Sequence, residues 1–227
     1  MIFDIVIVTN MNASEKRLLK ELRSIKKDYK KSRDQSKLRD NEILKLSPID
    51  QDGDMFKWFA IVKGPDGSCF EDTYWELLID IPQSYPLQPP NISFKTLSNE
   101  RIMDLKKKDK SLKKKYQFVH DVKYDEEAED GGDGVKAVIK KCYKMPHPNI
   151  NFKTGEICLD ILQSKWSPAW TLQSSVMAII SLLTNPEPFS PLNIDLANIL
   201  KIEDHTAYND LVRYYANKYS TIEVIKI

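Results

Sequence analysis

The sequence predicts an α+β fold in which helices precede and follow an antiparallel sheet. Three observations support this prediction. Apolar residues recur at helical spacing near the start of the chain, three runs rich in β-branched and aromatic residues follow at short intervals, and helical spacing returns in the last third. Strands that follow one another so closely indicate an antiparallel meander, and the helices grouped around it make the chain α+β.

The first predicted helix covers 14–31, with Ser14 as its N-cap. Basic residues fill one face, and apolar residues recur along the other: Leu18, Leu19, Leu22, Ile25 and Tyr29. The polar stretch 32–41 is predicted to be a loop or a frayed extension of this helix. Residues 1–13 form an N-terminal extension. Its apolar part contains an acid and lacks a basic flank, so we expect a strand or docking segment rather than a signal peptide.

Three strands are predicted next, each rich in large apolar residues: 55–63, 73–81 and 91–95. Turn-forming residues at 64–67 end the first strand, and Pro82 closes the second. The proline-rich stretch 85–90 leads into the third strand, because prolines force an extended entry and cannot occupy central strand positions.

A charged insertion is predicted at about 97–136. Lysines dominate 101–115 and acidic residues dominate 121–133, and few large apolar residues are present to order the segment. We expect a solvated, disordered surface loop, and the alternative is that its lysines bind an anionic membrane or an acidic partner. Apolar residues resume at 135–143, where the chain is expected to return to the sheet.

Three further helices are predicted: 171–183, 192–200 and 206–219. The first is strongly amphipathic, and the prolines at 186 and 188 end it. Its apolar face consists of Leu172, Val176, Ile179, Ile180 and Leu183. Residues 14–219 are therefore predicted to form a single domain, interrupted by the insertion and followed by a tail at 220–227.

Composition excludes several functional classes. The 227 residues include 34 basic and 33 acidic side chains, and the resulting net charge of +1 argues against bulk nucleic-acid binding. Three cysteines without a CxxC pair provide no disulfide framework, so they indicate a reducing compartment. No apolar run approaches the ~20 residues of a transmembrane helix. No metal and no bound cofactor are predicted.

The stretch 147–162 contains the candidate chemistry. It carries His147 and Asn149, then a glycine-containing loop, and then Cys158 between apolar neighbours. Taken alone, a cysteine in such surroundings is more often a buried structural thiol. The functional alternative is an acyl-carrying nucleophile, because thiolates attack and leave readily. A Cys–His protease is a competing interpretation, but the residue order does not fit the known local signatures.

This stretch resembles the active-site segment of the ubiquitin-conjugating enzyme (E2) family. Other marks of that family stand in the expected order and cover most of 14–219: Gly64-Pro65, Tyr85-Pro86, Pro89-Pro90, Trp166-Ser167-Pro168 and Pro186-Glu187-Pro188. The resemblance implies the E2 (UBC) fold, which has an N-terminal helix, a four-stranded antiparallel sheet, a central helix and two C-terminal helices. It also implies that Cys158 accepts ubiquitin from an activating enzyme (E1) as a thioester.

The resemblance assigns roles around that cysteine. Asn149 stabilises the oxyanion or holds the active-site loop in shape, and His147 is structural rather than a base. Asp160 is a supporting residue close to Cys158, and Ser190 occupies the gate position. Two departures stand out, since the gap from Asn149 to Cys158 is one residue longer than in most members and Ser190 replaces a frequent aspartate.

The resemblance also implies partner surfaces. Leu87, Pro168 and Ala169 match positions where RING-type ligases (E3) dock. The basic face of the first helix matches the surface that meets E1, and its residues are Lys16, Arg17, Lys20 and Arg23. Alternatively, these four basic residues only form the solvent-exposed face of the helix, and the sequence favours neither interpretation.

A finer resemblance connects the chain to the peroxisomal members of the family. It rests on 191–200, on residues at 207–215, and on Leu46 to Asp50. It implies a cytoplasmic enzyme at the cytosolic face of the peroxisomal membrane, held there by a membrane-anchored partner. With RING ligases, such an enzyme ubiquitinates a cycling import receptor. The alternatives are a general E2 for proteasomal degradation or for a ubiquitin-like modifier, and an inactive E2-like interaction module, against which Cys158 argues.

Overall fold

The computed structural model describes residues 11–31, 42–50, 54–96 and 144–220, and the fold is given for these ranges. The elements follow in the order α1 (Ala13–Lys31), β1 (Ile43–Pro48), β2 (Lys57–Lys63), β3 (Tyr74–Asp80), β4 (Asn91–Phe94), a 3₁₀ turn (Asp160–Leu162), α2 (Leu172–Thr184), α3 (Ile194–Lys201) and α4 (His205–Tyr219). The predicted insertion at 97–136, the expected return to the sheet at 135–143 and most of both terminal segments lie outside the described residues.

The four strands form one antiparallel sheet in the order β1-β2-β3-β4. Side chains alternate between the two faces of a strand, and the register places Trp58 opposite Ile79 and Ala60 opposite Leu77. All four are buried. The same core contains the apolar face of α2, which consists of Leu172, Val176, Ile179, Ile180 and Leu183. The antiparallel sheet and the helix that covers one face confirm the predicted α+β class.

The three predicted strands are confirmed as β2, β3 and β4, but the sequence analysis did not predict β1. This strand contains Lys45 and Pro48, and a bulge lies between Ile43 and Lys45. These features weaken the alternating pattern by which strands are recognised. Pro48 is compatible with a strand here because β1 is at the edge of the sheet, where one row of backbone donors has no neighbour to meet.

Helix α1 is capped by Asn12, so the prediction of Ser14 as its N-cap was wrong. The Asn12 side-chain oxygen accepts from the Glu15 amide at 2.8 Å, and the Glu15 carboxylate accepts from the Asn12 amide at 2.8 Å. This reciprocal pair is a capping box. Ser14 instead is buried in the first turn and donates its hydroxyl to the Gln83 carbonyl at 2.6 Å. Ser14 therefore makes a tertiary contact just before the proline-rich stretch instead of capping the helix.

The three predicted C-terminal helices are confirmed as α2, α3 and α4, with each end within two residues of its predicted position. Thr171 and Ser174 form a capping box at the start of α2, with hydrogen bonds of 3.1 and 2.8 Å. Asn193 and Asp204 cap α3 and α4 through their side-chain oxygens. Within the described ranges, no helix is both long and apolar enough to cross a bilayer.

Candidate active site

A tight hairpin immediately precedes Cys158, and residues 150–157 are called the active-site hairpin below. Ile150 and Ile157 pair at its base as an antiparallel bridge. At its tip, the Asn151 side-chain oxygen accepts from the backbone amides of Lys153 and Thr154 at 3.0 and 3.2 Å. Asparagine favours such turns because its side chain can substitute for a backbone acceptor.

The hairpin is fastened to β4. The Phe94 amide donates to the Gly155 carbonyl at 2.8 Å, and Ser93 pairs with Glu156. Gly155 has a φ of +75°, and a Cβ atom placed on it would lie 1.8 Å from the Phe94 carbonyl oxygen. Only glycine fits this conformation and this close approach. The backbone leading to Cys158 is therefore held rigidly against the sheet.

Cys158 is partly exposed at the end of this hairpin. Its amide donates to the Asn149 carbonyl at 2.8 Å, so the backbone of the cysteine is fixed beside the asparagine. Cys69 is buried, and burial raises the pKa of its thiol to about 11. Such a thiol is inert at neutral pH. Cys142 lies outside the described residues.

The side chain of Asn149 is buried and holds the segment 186–190, called the gate loop below. Its Nδ2 donates to the carbonyls of Glu187 and Ser190 at 2.7 and 3.1 Å, and its Oδ1 accepts from the Glu187 amide at 2.8 Å. Both amide hydrogens are thus used on backbone carbonyls. Ser190 itself is exposed and contributes its carbonyl to this arrangement.

His147 is fully buried, and both of its ring nitrogens are engaged with backbone. Nδ1 accepts from the Asn149 amide at 3.1 Å, so the ring proton lies on Nε2, which donates to the Leu182 carbonyl at 3.0 Å. Burial lowers the pKa of His147 to about 3. The imidazole is therefore neutral near pH 7 and cannot serve as the base of a Cys–His pair.

Asp160 lies two residues beyond Cys158, at the start of the 3₁₀ turn, and is exposed. Its carboxylate pairs with Lys165 at 2.5 Å. The hydrogen bond from Lys165 holds the pKa of Asp160 below its usual range. Lys165 thus favours the ionised form of a carboxylate two residues along the chain from Cys158.

The sequence analysis missed a polar junction centred on Glu21, which is buried in α1. Its Oε1 accepts from Arg17 Nε at 2.5 Å and from the Tyr85 hydroxyl at 2.8 Å, and its Oε2 accepts from the Leu172 amide at 2.8 Å. Glu21 therefore joins α1, the proline-rich loop and the start of α2. The only local sign is the acid four residues after Arg17, a spacing typical of helical ion pairs.

Arg17 differs from the other three basic residues predicted to face E1. Its guanidinium also donates to the Trp170 carbonyl at 2.9 Å, so it links α1 to the segment before α2. Lys16, Lys20 and Arg23 are exposed.

The structure brings the three residues predicted to meet ligases onto neighbouring loops. The Trp166 indole donates to the Pro86 carbonyl at 2.8 Å, which ties the loop of Leu87 to that of Pro168 and Ala169. Leu87 is 78% exposed, and Pro168 and Ala169 are also exposed. These three residues are called the ligase-facing surface below.

Taken together, the site offers a partly exposed thiol on a rigid hairpin, beside a fixed asparagine and a neutral His147 whose two ring nitrogens are engaged with backbone. Such a thiol can accept and release an acyl group, because thiolates are both good nucleophiles and good leaving groups. Among the described residues, no cluster of three or more His, Cys, Asp or Glu side chains could hold a metal ion.

Comparisons with known proteins converge on one family. A sequence model of the ubiquitin-conjugating enzyme family matches residues 24–119 and 135–216. The chain is 52% identical over 213 residues to ubiquitin-conjugating enzyme E2-21 kDa of Pichia angusta, covering 94% of this chain and 98% of that relative. It is 46% identical over 215 residues to E2 ubiquitin-conjugating enzyme PEX4 of Komagataella phaffii, covering 95% and 98% respectively.

The fold is also similar to that of solved structures. The crystal structure of the H. polymorpha ubiquitin-conjugating enzyme Pex4p, in complex with the soluble domain of Pex22p, matches with a TM-score of 0.69. The two chains are 51% identical, and the match covers 92% of this chain and all of the other.

Proposed function

This chain belongs to the ubiquitin-conjugating enzyme family and so is a ubiquitin transferase, and from that premise we propose that Cys158 is the residue that carries ubiquitin. The observation that supports this assignment is the placement of its thiol, partly exposed at the end of a hairpin fixed to β4 and to Asn149. Cys69, in contrast, is buried with a raised thiol pKa.

The proposed reaction has two steps. The Cys158 thiolate attacks the thioester carbonyl that joins ubiquitin to E1, a new thioester forms, and the E1 cysteine leaves as its thiolate. An acceptor nucleophile then attacks the Cys158 thioester. With a lysine acceptor, an isopeptide bond forms, the Cys158 thiolate leaves, and the amine proton passes to solvent. Ubiquitin is thus a covalently carried co-substrate, and the steps require no bound cofactor.

Asn149 and His147 position this reaction rather than exchange protons. Of the two roles that the resemblance allows for Asn149, oxyanion stabilisation and holding the active-site loop in shape, the hydrogen bonds to Glu187 and Ser190 favour a structural role, and the segment that they hold is the gate loop. The neutral His147 accepts from the Asn149 amide and donates to the Leu182 carbonyl, so it fixes the backbone of Asn149. We propose that Ser190 lines the path of the acceptor.

Incubation with E1, ATP and ubiquitin, followed by a non-reducing gel, tests the assignment of Cys158. The wild-type chain is expected to form a ubiquitin adduct that disappears on reduction, and Cys158→Ala is expected to form none. Cys69→Ala, which removes the buried thiol, is the matched control and is expected to load. A reducible adduct on Cys158→Ala would refute the assignment.

We propose that the ligase-facing surface binds RING ligases and that the exposed bases of α1 meet E1. Leu87 supports the first proposal, because it is 78% exposed and the Trp166–Pro86 hydrogen bond joins its loop to that of the exposed Pro168 and Ala169. Lys16, Lys20 and Arg23 are exposed and so can meet an acidic surface, whereas the hydrogen bonds of Arg17 to Glu21 and Trp170 give Arg17 a structural role.

We further propose that the enzyme acts at the cytosolic face of the peroxisomal membrane, where a membrane-anchored partner holds it and RING ligases direct it to a cycling import receptor. Similar proteins are named PEX4 and Protein PEROXIN-4, and one similar structure is a complex with the soluble domain of Pex22p. We expect this chain to bind a corresponding soluble domain.

Size-exclusion chromatography of the chain with that domain tests the partner, and receptor ubiquitination in cells that lack the chain tests the substrate. Co-elution and loss of receptor modification are expected. If the two proteins elute separately and receptor modification persists, the enzyme is a general E2, which is the competing interpretation.

A further inference from the structure

An aromatic cluster joins the tip of the active-site hairpin to α4. The Phe152 ring packs edge-to-face against Tyr215 and Tyr219, with centroids 5.7 and 6.0 Å away and interplanar angles of 76° and 81°. The two tyrosines, one helical turn apart, stack with centroids 5.8 Å apart and planes within 6°. Both arrangements are ones that aromatic rings prefer. Phe152, Tyr215 and Tyr219 are called the aromatic clamp below.

A lysine completes the clamp on the side where the chain enters the site. The Lys144 Nζ lies 5.4 Å from the centroid of Phe152 and 5.8 Å from that of Tyr219. A cation at this distance from a ring is attracted to its face. Lys144 belongs to the segment that leads into the site, three residues before His147. This segment and the hairpin tip therefore both contact α4.

The hairpin is thus held at two points. Its returning side is attached to β4, because the Gly155 carbonyl accepts from the Phe94 amide and Glu156 pairs with Ser93. Its tip packs on α4 through Phe152. The hairpin is also the chain segment between Asn149 and Cys158. Movement of the tip would therefore turn the hairpin about its base and displace the thiol relative to the asparagine. A displacement of about 1 Å at a reacting group can cost about 10²-fold in rate.

We propose that Phe152 is a positioning residue, which acts through Tyr215 and Tyr219 to present the Cys158 thioester to the acceptor amine. This inference rests on the proposed role of Cys158. Loading exchanges one thiol for another, which is an intrinsically easy reaction. Discharge to an amine is more demanding, because the acceptor is protonated in solution, with a reference pKa of about 10.4. Discharge is therefore the step that depends on the clamp.

Single-turnover discharge of preloaded enzyme to free lysine, over a range of lysine concentrations, tests the proposal. Phe152→Ala is expected to lower the saturating rate about tenfold and leave the half-saturating lysine concentration unchanged, because positioning rather than binding is lost. Loading by E1 is expected to change by less than about twofold. Phe152→Tyr keeps the ring and is expected to restore discharge to nearly the wild-type rate.

Tyr219→Ala and the double variant with Phe152→Ala test whether the contact itself carries the effect. The double variant is expected to discharge no more slowly than the slower single variant, because both changes remove one interaction. Tyr214→Ala is the matched control. Tyr214 is 59% exposed on the same helix and packs against Tyr215 and Lys218 rather than the hairpin. Its discharge rate is expected to match that of the wild type.

The outcomes separate the two proposals. If wild-type enzyme does not load, the role of Cys158 fails and the clamp proposal falls with it. If wild-type enzyme loads but Phe152→Ala and Tyr219→Ala both discharge at the wild-type rate, only the positioning role is refuted. Circular dichroism and the thermal midpoint establish whether each variant is folded. If Phe152→Ala does not fold, Tyr219→Ala, which changes the last residue of α4, tests the proposal in its place.

Discussion

Individual side chains in this active site use buried polar atoms to fix shape. The side-chain amide of Asn149 forms three hydrogen bonds with the backbone of the gate loop. Both ring nitrogens of His147 form hydrogen bonds with backbone groups. A buried polar group without a partner costs about 1–3 kcal/mol, so each of these bonds has a strongly preferred geometry. The thiol of Cys158 is consequently presented by a scaffold whose own polar groups are satisfied.

The burial of His147 predicts a specific loss of stability in mild acid. Its pKa is about 3 in the folded protein, against about 6.5 when exposed. Below pH 6.5 the unfolded chain therefore binds a proton that the folded chain does not, and stability falls as pH falls. Between pH 7 and pH 5, this residue alone is expected to remove about 2 kcal/mol from the free energy of unfolding.

Urea unfolding of the wild type and of His147→Gln at both pH values measures this effect. The variant is expected to be less stable at pH 7 but to lose about 2 kcal/mol less than the wild type on acidification. His205→Gln, which replaces an exposed histidine, controls for the substitution. Equal losses in the wild type and His147→Gln would contradict the prediction.

Among the secondary-structure elements, the active-site hairpin depends most on a single residue type. The left-handed conformation of Gly155 and its approach to Phe94 leave no room for a side chain. The helices, by contrast, are specified redundantly, since each has a capping side chain and several apolar residues on one face. The hairpin is therefore the element most easily damaged by a small change.

Replacing Gly155 with alanine is expected to destabilise the protein by about 2–4 kcal/mol. The left-handed conformation contributes about 1 kcal/mol, and the overlap of Cβ with the Phe94 carbonyl adds about 1–3 kcal/mol. Gly67→Ala is the matched control. Gly67 has nearly the same φ, +73°, but no atom lies within 4 Å of its Cβ position, so only the conformational cost is expected.

Chemical denaturation of both glycine variants gives the comparison, and single-turnover discharge to lysine reports on the site. Gly155→Ala is also expected to discharge its thioester more slowly than Gly67→Ala, because its hairpin must move away from β4. Equal destabilisation of the two variants would show that the approach to Phe94 is not tight in solution.

In the molecule as a whole, a single α1 residue connects the parts that the proposed function uses. Glu21 binds Tyr85 in the proline-rich loop and the Leu172 amide at the start of α2, whose buried face packs on the sheet. The Trp166 indole bonds to the Pro86 carbonyl in the same region. The ligase-facing surface is therefore built from loops that are tied to the core.

The ligase-facing surface yields a prediction about partner binding. Leu87→Ala is expected to reduce ligase-stimulated discharge about fivefold or more, because truncating a central docking side chain typically costs more than about 1 kcal/mol of binding energy. Loading by E1 and the thermal midpoint are expected to stay near wild type, since Leu87 is 78% exposed.

Ile202→Ala is the control for that experiment. Ile202 is 74% exposed and follows α3, so it matches Leu87 in exposure and apolar character but lies outside the ligase-facing surface. Its ligase-stimulated discharge is expected to be unchanged. A comparable loss in both variants, or none in Leu87→Ala, would place ligase docking elsewhere.

Local patterns in the sequence were enough to specify most of the architecture. Helical periodicity predicted all four helices of the described residues, and runs rich in β-branched and aromatic residues, bounded by turn residues, predicted β2, β3 and β4. The spacing of His147, Asn149 and Cys158, together with the other family marks, indicated the E2 family. These features are encoded by residues close together in the chain, where periodicity and motif spacing have direct physical meaning.

Other features arise from contacts between residues far apart in the sequence. The edge strand β1 forms because β2 offers it a partner, Ser14 leaves its expected cap for the Gln83 carbonyl, and Arg17 turns from a surface charge into a structural one. The aromatic clamp joins Phe152 to rings more than sixty residues away. The sequence alone thus identified Cys158, Asn149 and His147 as the candidate site. How these residues are held is known only from the tertiary structure, because their hydrogen bonds depend on burial and on partners far away in the chain.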